Sequence, residues 1–125
     1  MGVLDKEELP KWQRIKYDIE LKIITGEYEA GDKVPSVRVL AKMYGIGTST
    51  SQTILERMFL DGTLIMEQGI GFKVDGRAKK KLAAEHEKRV REILKQACAY
   101  CDKLNLDSVE IVKGFYSSGE NAGEN

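Results

Sequence analysis

The chain has 125 residues, of which 42% are hydrophobic and 32% charged, and its formal net charge is zero. This length suits one small domain with an appendage. Because the sequence has no run of 18 apolar residues, no apolar N-terminal segment and only two cysteines, we expect no membrane span, no secretory leader and no disulfide framework, and we expect the protein in the cytoplasm.

The first predicted helix covers residues 11–25, after a lead-in over residues 1–10 that we expect to be flexible. Trp12, Ile19 and Ile23 are separated by helical spacings, so one face of this helix should be buried.

Two helices joined by a tight turn are predicted between residues 31 and 61, and the rest of the chain is organised around them. Ser36 should cap the first helix and Gly45 should end it. The second helix opens with the polar, uncharged run at residues 48–52 and becomes apolar further along. Spacing alone fits two interpretations. One is a DNA-binding helix-turn-helix, and the other is an ordinary helical hairpin whose serines and threonines are caps.

A β-hairpin is predicted directly after these helices, with strands at residues 64–67 and 72–74 and a turn rich in glycine between them. Two helices followed by a hairpin indicate a winged helix-turn-helix.

Several short motifs occur in a fixed order between residues 10 and 74. They are Gly26-Glu27-Tyr28, Gly31-Asp32-Lys33-Val34-Pro35-Ser36, Arg38, Leu40-Ala41, Gly45-Ile46, Leu55, Asp61-Gly62 with Leu64, and Gly69 with Gly71. In this order and spacing the segment resembles the DNA-binding domain of the GntR family of bacterial transcription regulators. The resemblance implies a sequence-specific DNA-binding regulator, most often a repressor. It also implies a short strand near Lys33 that pairs with the wing.

A long helix is predicted over residues 78–104, which contain neither proline nor glycine, and it would be roughly 40 Å long. A heptad seam runs along it and is typical of a surface buried against a partner, so we predict a homodimer. A shorter helix should follow, capped by Asp107 and Glu110. The predicted dimerisation residues are Ala83, His86, Val90, Ile93, Ala97, Tyr100 and Leu104.

The predicted fold is therefore mostly α with a small β-wing, a winged helix-turn-helix followed by a two-helix C-terminal dimerisation tail. We place the DNA-binding domain at residues 1–76, the helical tail at 77–117 and a disordered C-terminus at 118–125. So short a tail resembles the YtrA-type subfamily of GntR regulators and implies no separate effector domain. Binding of a small-molecule effector at the dimer seam is an alternative that the sequence leaves open.

Nine residues are predicted to contact operator DNA. Arg38 matches a family arginine that contacts DNA. The alternative interpretation is that Arg38 is an ordinary surface residue. Hydroxyl groups and Gln52 at the front of the second helix can bond phosphates or base edges, although Thr48 and Ser49 could instead be caps. The wing glycines let the backbone approach DNA or simply form a turn. The set is Ser36, Arg38, Thr48, Ser49, Thr50, Gln52, Gly69, Gly71 and Lys73.

The sequence departs from the family pattern at several of these positions. Many relatives carry arginines where Thr48 and Gln52 stand, so recognition should be weaker or lean towards A·T pairs. Ser51 replaces an apolar residue, which should loosen the docking of its helix. Ile70 occupies the wing tip, where many relatives have a basic residue. The basic run at residues 77–81 either compensates by reaching phosphates or is a solvated helix start.

A winged-helix protein-interaction module is the alternative function, because the net charge is zero and the arginines are missing. Positive charge is nevertheless concentrated in two places. Residues 33–60 contain four basic side chains against Glu56 alone, and residues 77–95 contain eight against three acidic ones. The distribution permits DNA binding.

The sequence predicts no catalytic, metal or cofactor site. Cys98 and Cys101 have CxxC spacing, but a zinc site needs two more ligands, so we expect buried thiols in the helical seam. His86 is the only histidine, and it could be a pH-sensitive element at the interface or a partly exposed side chain. With no P-loop and no clustered carboxylates, an enzyme is not expected.

Overall fold

The computed structural model describes residues 9–120, so the predictions for residues 1–8 and 121–125 lie outside the described part. Contacts divide the chain after His86 into two compact units. Within the described residues the predicted mostly-α fold with a β-wing and two C-terminal helices is confirmed. The elements are α1 (Lys11–Ile24), α2 (Val37–Tyr44), α3 (Thr48–Leu60), β1 (Leu64–Glu67), β2 (Gly71–Val74), α4 (Ala78–Lys103) and α5 (Ser108–Ser117).

The helix-turn-helix begins and ends where its capping residues predict. The Ser36 hydroxyl accepts a 3.3 Å hydrogen bond from the backbone N–H of Val39, and so caps α2. Gly45 ends α2 with a φ of 63°, a left-handed conformation that glycine adopts at low cost. Gly47 is the N-cap of α3.

The wing is a two-stranded antiparallel sheet in which Leu64 lies opposite Val74. Lys33 forms an isolated bridge with Lys73, and the adjacent Val34 is buried. The pairing implied by the family resemblance is therefore present as a single bridge, which adds a third segment to the edge of the wing.

The core of the first unit lies between α1, α2, α3, the sheet and the first turns of α4. Ala78 and Leu82 are fully buried in it, although they follow the predicted domain boundary at residue 76. The compact unit therefore includes the start of α4. The buried apolar residues of this core are Ile15, Ile19, Ile23, Val34, Leu40, Ile54, Leu55, Met58, Leu64, Phe72, Val74, Ala78 and Leu82.

The second unit contains the rest of α4 and α5. Asp107 caps α5, as predicted, by accepting hydrogen bonds from the backbone N–H groups of Val109 and Glu110 at 3.0 and 3.3 Å. No residue of α5 is buried. Across residues 9–120, none of the helices combines the length and the apolar character needed to cross a membrane.

Candidate nucleic-acid interface

The front of α3 presents polar side chains and free backbone amides. Thr48 and Ser49 are exposed in its first turn, Gln52 is exposed one turn further, and Thr50 is half-buried. Because Gly47 is the cap and makes no side-chain capping bond, Thr48 and Ser49 lie inside the helix and are not caps. The first-turn N–H groups carry the positive end of the helix dipole, which suits a phosphate.

Ser51 lies in the same turn but faces inward. Its hydroxyl is fully buried and donates a 2.8 Å hydrogen bond to the backbone carbonyl of Val37, at the start of α2. The sequence predicted that a serine here would loosen the docking of this helix. The structure instead has a polar tie between the two helices, because the buried hydroxyl finds a main-chain acceptor.

Arg38 lies in the first turn of α2, next to the residue that Ser51 binds, and is exposed. Among the described residues it has no ion-pair or hydrogen-bond partner, so its charge is available to a ligand. Arg57, near the end of α3, differs because its guanidinium lies 5.2 Å from the centroid of the Trp12 ring. That contact is a cation–π interaction within the domain. One of the four positive charges counted on residues 33–60, that of Arg57, is therefore engaged by an aromatic ring of the same domain.

The wing turn depends on two glycines in left-handed conformations. Gly69 has a φ of 82° and Gly71 a φ of 115°, angles that strain residues with a side chain. A Cβ at Gly69 would meet nothing within 4 Å, so conformation and not crowding explains that glycine. Ile70, between them, is 46% exposed at the tip. The turn-geometry interpretation of these glycines is thus supported, and a role in approaching DNA stays a prediction.

Lys73 is paired within the wing. Its Nζ lies 2.8 Å from Oε2 of Glu67 on the neighbouring strand. This predicted DNA contact therefore has a competing partner in the free protein. Lys33 was not among the predicted contacts, although it is exposed and bridged to Lys73. Its Cε lies 3.6 Å from the position of a Cβ on Gly71. The strand pairing implied by the family resemblance already placed Lys33 beside the wing.

The predicted dimerisation residues lie in different environments. The His86 ring meets the Tyr17 ring edge-on, with centroids 4.9 Å apart, and its Nε2 lies 3.6 Å from Oε1 of Glu20. His86 therefore makes its contacts with α1 of its own chain, since it belongs to the part of α4 that packs on the winged unit. Further along, Val90 and Leu104 are each about half exposed.

The two cysteines of α4 are free thiols. Cys98 is exposed and Cys101 is half-buried. Within residues 9–120 neither thiol is fully buried, contrary to the prediction. Burial of these thiols would require a partner.

A family model described as bacterial regulatory proteins, gntR family, matches residues 11–74, which is just over half of the chain. The chain belongs to the GntR family. GntR proteins are bacterial transcription regulators, and the matched segment contains both helices of the helix-turn-helix and the whole wing.

A curated relative of this GntR chain is the uncharacterized HTH-type transcriptional regulator YdfD of Bacillus subtilis. It is 40% identical over 65 residues, which cover 52% of this chain and 14% of the relative. The chain thus matches about a seventh of the length of that regulator.

Solved structures of GntR regulators share the fold over most of the chain. A regulator from Listeria monocytogenes has a TM-score of 0.74 at 24% identity, covering 88% of this chain and 96% of that one. YtrA from Sulfolobus acidocaldarius has a TM-score of 0.53 at 24% identity, covering 91% of each chain. The DNA-binding domain of AraR, solved in complex with operator ORX1, has a TM-score of 0.52 at 27% identity, covering 59% of this chain and 89% of that one.

Proposed function

We propose that this GntR regulator binds a palindromic operator as a homodimer and represses transcription by occupying it in the cytoplasm. The main support for this proposal is the surface at the front of α3. It combines an exposed polar turn, backbone amides without a side-chain cap and the exposed Arg38 on the helix behind it. In this account α3 is the recognition helix and enters the major groove. The DNA-binding domain of AraR, which has a similar fold, was solved in complex with an operator, and this supports DNA as the ligand.

The proposed contacts divide into positioning and reading roles. Arg38 and the amides at the front of α3 would hold phosphates, which fixes the register of the protein on the duplex. Gln52 can bond adenine through two hydrogen bonds, and the hydroxyls of Thr48 and Thr50 can reach base edges. No arginine lies at the front of α3, so we expect an operator in which A·T pairs dominate the contacted positions.

Exposed apolar surface on the second unit supports the homodimer. Val90 is 52% exposed, Tyr100 65% and Leu104 53%, and these residues follow the seam of α4. In α5, Ile111 and Phe115 are also exposed. Apolar patches of this extent are usually covered by a partner. A second copy would supply the same surface, and its two-fold symmetry would match the dyad of the operator.

Paired substitutions test the DNA contacts. Arg38→Ala should weaken binding to all DNA sequences and lower the slope of log affinity against log salt by about one, as expected for one lost phosphate contact. Gln52→Ala should reduce the preference for operator over scrambled DNA. Arg14→Ala removes the same charge from an exposed position on α1 and should change neither quantity. Unchanged operator binding in both test variants would contradict the assignment.

Sedimentation tests the dimer. Val90→Glu places a charge in the seam and should produce monomers that bind the operator weakly. Lys95→Ala makes the same change of net charge on the opposite face of α4 and should leave the dimer intact. A Val90→Glu protein that stays dimeric would refute a seam through this part of α4. In a reporter assay, deletion of the protein should raise transcription from the operator.

A protein-interaction module remains the second candidate, because Lys73 is held by Glu67 and the wing tip is apolar. Salt separates the two functions. DNA binding should fall steeply with salt, whereas docking of a protein on the exposed Ile70 should not. The same measurement with candidate effectors would reveal a ligand-dependent change in affinity.

A further inference from the structure

Five residues connect the end of α3 to α1 and to the first turns of α4, and we call them the helix-junction network. They form a closed sequence of contacts within the first compact unit. They are Lys16, Glu20, Asp61, Lys81 and His86.

The contacts of the network connect α1 with α3 and with α4. Lys16 Nζ lies 2.9 Å from Oε2 of Glu20 and 3.1 Å from Oδ2 of Asp61. Glu20 Oε1 lies 3.6 Å from Nε2 of His86. Lys81 Nζ donates a hydrogen bond to the backbone carbonyl of Asp61 and so completes the circuit from α4 back to α3.

The network is attached to the negative end of the recognition helix. Asp61 is the C-cap of α3, where carbonyl groups have lost their helical partners, and two lysines lie against it. Cations at a helix C-terminus are favoured by the helix dipole. The front of α3 lies about 20 Å away along the helix axis. The network is therefore placed to orient the helix and not to touch the DNA that its front would read.

The part of the network on α1 and His86 is largely buried, whereas Asp61 and Lys81 are exposed. Glu20 is 8% exposed, and the side chains of Lys16 and His86 are each 21% exposed. Burial alone would lower the pKa of Lys16, but the carboxylates of Glu20 and Asp61 outweigh it and raise that pKa above its ordinary value. Removing Lys16 would leave the buried Glu20 carboxylate without its ion-pair partner, which is costly, so this part of the network favours one geometry.

We propose that the helix-junction network positions the recognition helix by holding it at a fixed angle to the first turns of α4. In a homodimer joined through α4, this angle sets the separation of the two recognition helices and hence the half-site spacing that the protein accepts. The proposal rests on the proposed function as a dimeric DNA-binding protein. It gives Lys81 a role different from the phosphate contact considered for the basic run at residues 77–81.

Lys81→Met and Lys80→Met form a matched pair for the test, since both remove one positive charge from neighbouring residues of α4. The probes are an operator selected by the wild-type protein from random DNA, the same operator with one or two base pairs inserted between half-sites, and a single half-site. Lys81→Met should keep the wild-type affinity for a single half-site. Its affinity for the full operator should fall about tenfold, because the two recognition helices are no longer held at the separation that lets both half-sites be bound at once. It should also accept the altered spacings.

The controls have distinct expected results. Lys80→Met should keep the spacing preference of the wild type, and Lys81→Arg should restore it because it can still donate to the Asp61 carbonyl. A Lys81→Met protein that loses as much affinity for the half-site as for the operator would identify Lys81 as a DNA contact and overturn the proposal. A Lys81→Met protein indistinguishable from Lys80→Met would overturn it as well.

A readout without DNA separates this proposal from the proposed function. Spin labels at Thr53→Cys, with both native cysteines replaced by serine, report the distance between the two recognition helices. The wild type should give a narrow distribution and Lys81→Met a broad one. If the distance distribution broadens in Lys81→Met but the wild type selects no DNA sequence, the positioning role is supported and the proposed DNA-binding function is contradicted. An unchanged distribution, or no inter-protomer distance at all, overturns the positioning role.

Discussion

The hydroxyl of Tyr44 at the end of α2 donates a 2.6 Å hydrogen bond to the carboxylate of Asp18 on α1. Burial and this bond, in that order, raise the pKa of Tyr44 well above its ordinary value. The contact fastens the first helix of the helix-turn-helix to the helix that precedes it, 26 residues earlier in the chain.

Tyr44→Phe should lower the free energy of unfolding by about 1 kcal/mol at neutral pH, a value that allows for the partial exposure of the pair. Because the folded pKa is raised, the contribution is complete below pH about 10, where unfolded tyrosine stays protonated, and is lost as pH rises above it. The difference between wild type and Tyr44→Phe should therefore shrink in alkaline urea titrations. Asp18→Asn and the double variant complete the cycle, and additive effects would contradict the coupling.

Ser51→Ala removes the buried bond to the Val37 carbonyl and should destabilise the protein by about 1 kcal/mol. Thr53→Ala is the matched control on the same helix, because the Thr53 hydroxyl bonds its own helix at an exposed position. Its effect should be below about 0.5 kcal/mol. Chemical denaturation measures both variants, and equal losses would mean that the tie between α2 and α3 adds no stability.

Glu67→Gln should strengthen DNA binding, since it releases Lys73 from its partner across the wing. We expect the slope of log affinity against log salt to steepen by about one, as for one added phosphate contact. Glu85→Gln removes the same charge from an exposed position on α4 and serves as the control. If both variants give the same change in slope, the wing lysine takes no part in binding.

Thr63→Val should leave the stability unchanged or raise it by up to about 1 kcal/mol, because a buried hydroxyl without a partner costs free energy that an apolar group of the same shape avoids. Thr63 is 1% exposed, and within residues 9–120 its hydroxyl has no hydrogen-bond partner. Thr25→Val is the contrasting control, because the Thr25 hydroxyl donates a 2.9 Å bond to the Leu21 carbonyl. A thermal midpoint that falls in Thr63→Val would reveal a hidden partner.

The sequence was most informative where local chemistry decides the structure. Ser36 and Gly45 predicted the two ends of α2, and Asp107 predicted the start of α5, because each satisfies backbone groups at a helix end. Family resemblance added the bridge at Lys33. These features require only neighbours along the chain or a known pattern.

Long-range contacts were beyond the sequence. His86 matched the heptad spacing, yet its ring packs on Tyr17, since the first turns of α4 are part of the winged core. Ser51 was predicted to loosen the docking of α3. Its hydrogen-bond acceptor, the Val37 carbonyl, is a main-chain atom that no residue pattern reveals. The pairing of Lys73 with Glu67 likewise follows from strand register. The DNA contacts and the dimer seam stay predictions.

Fluorescence anisotropy with DNA from upstream of the protein's own gene, compared with scrambled DNA at two salt concentrations, tests the central claim most directly. The account predicts tight binding that prefers the upstream DNA and weakens steeply as salt rises. Weak binding that is equal on both DNAs would contradict it.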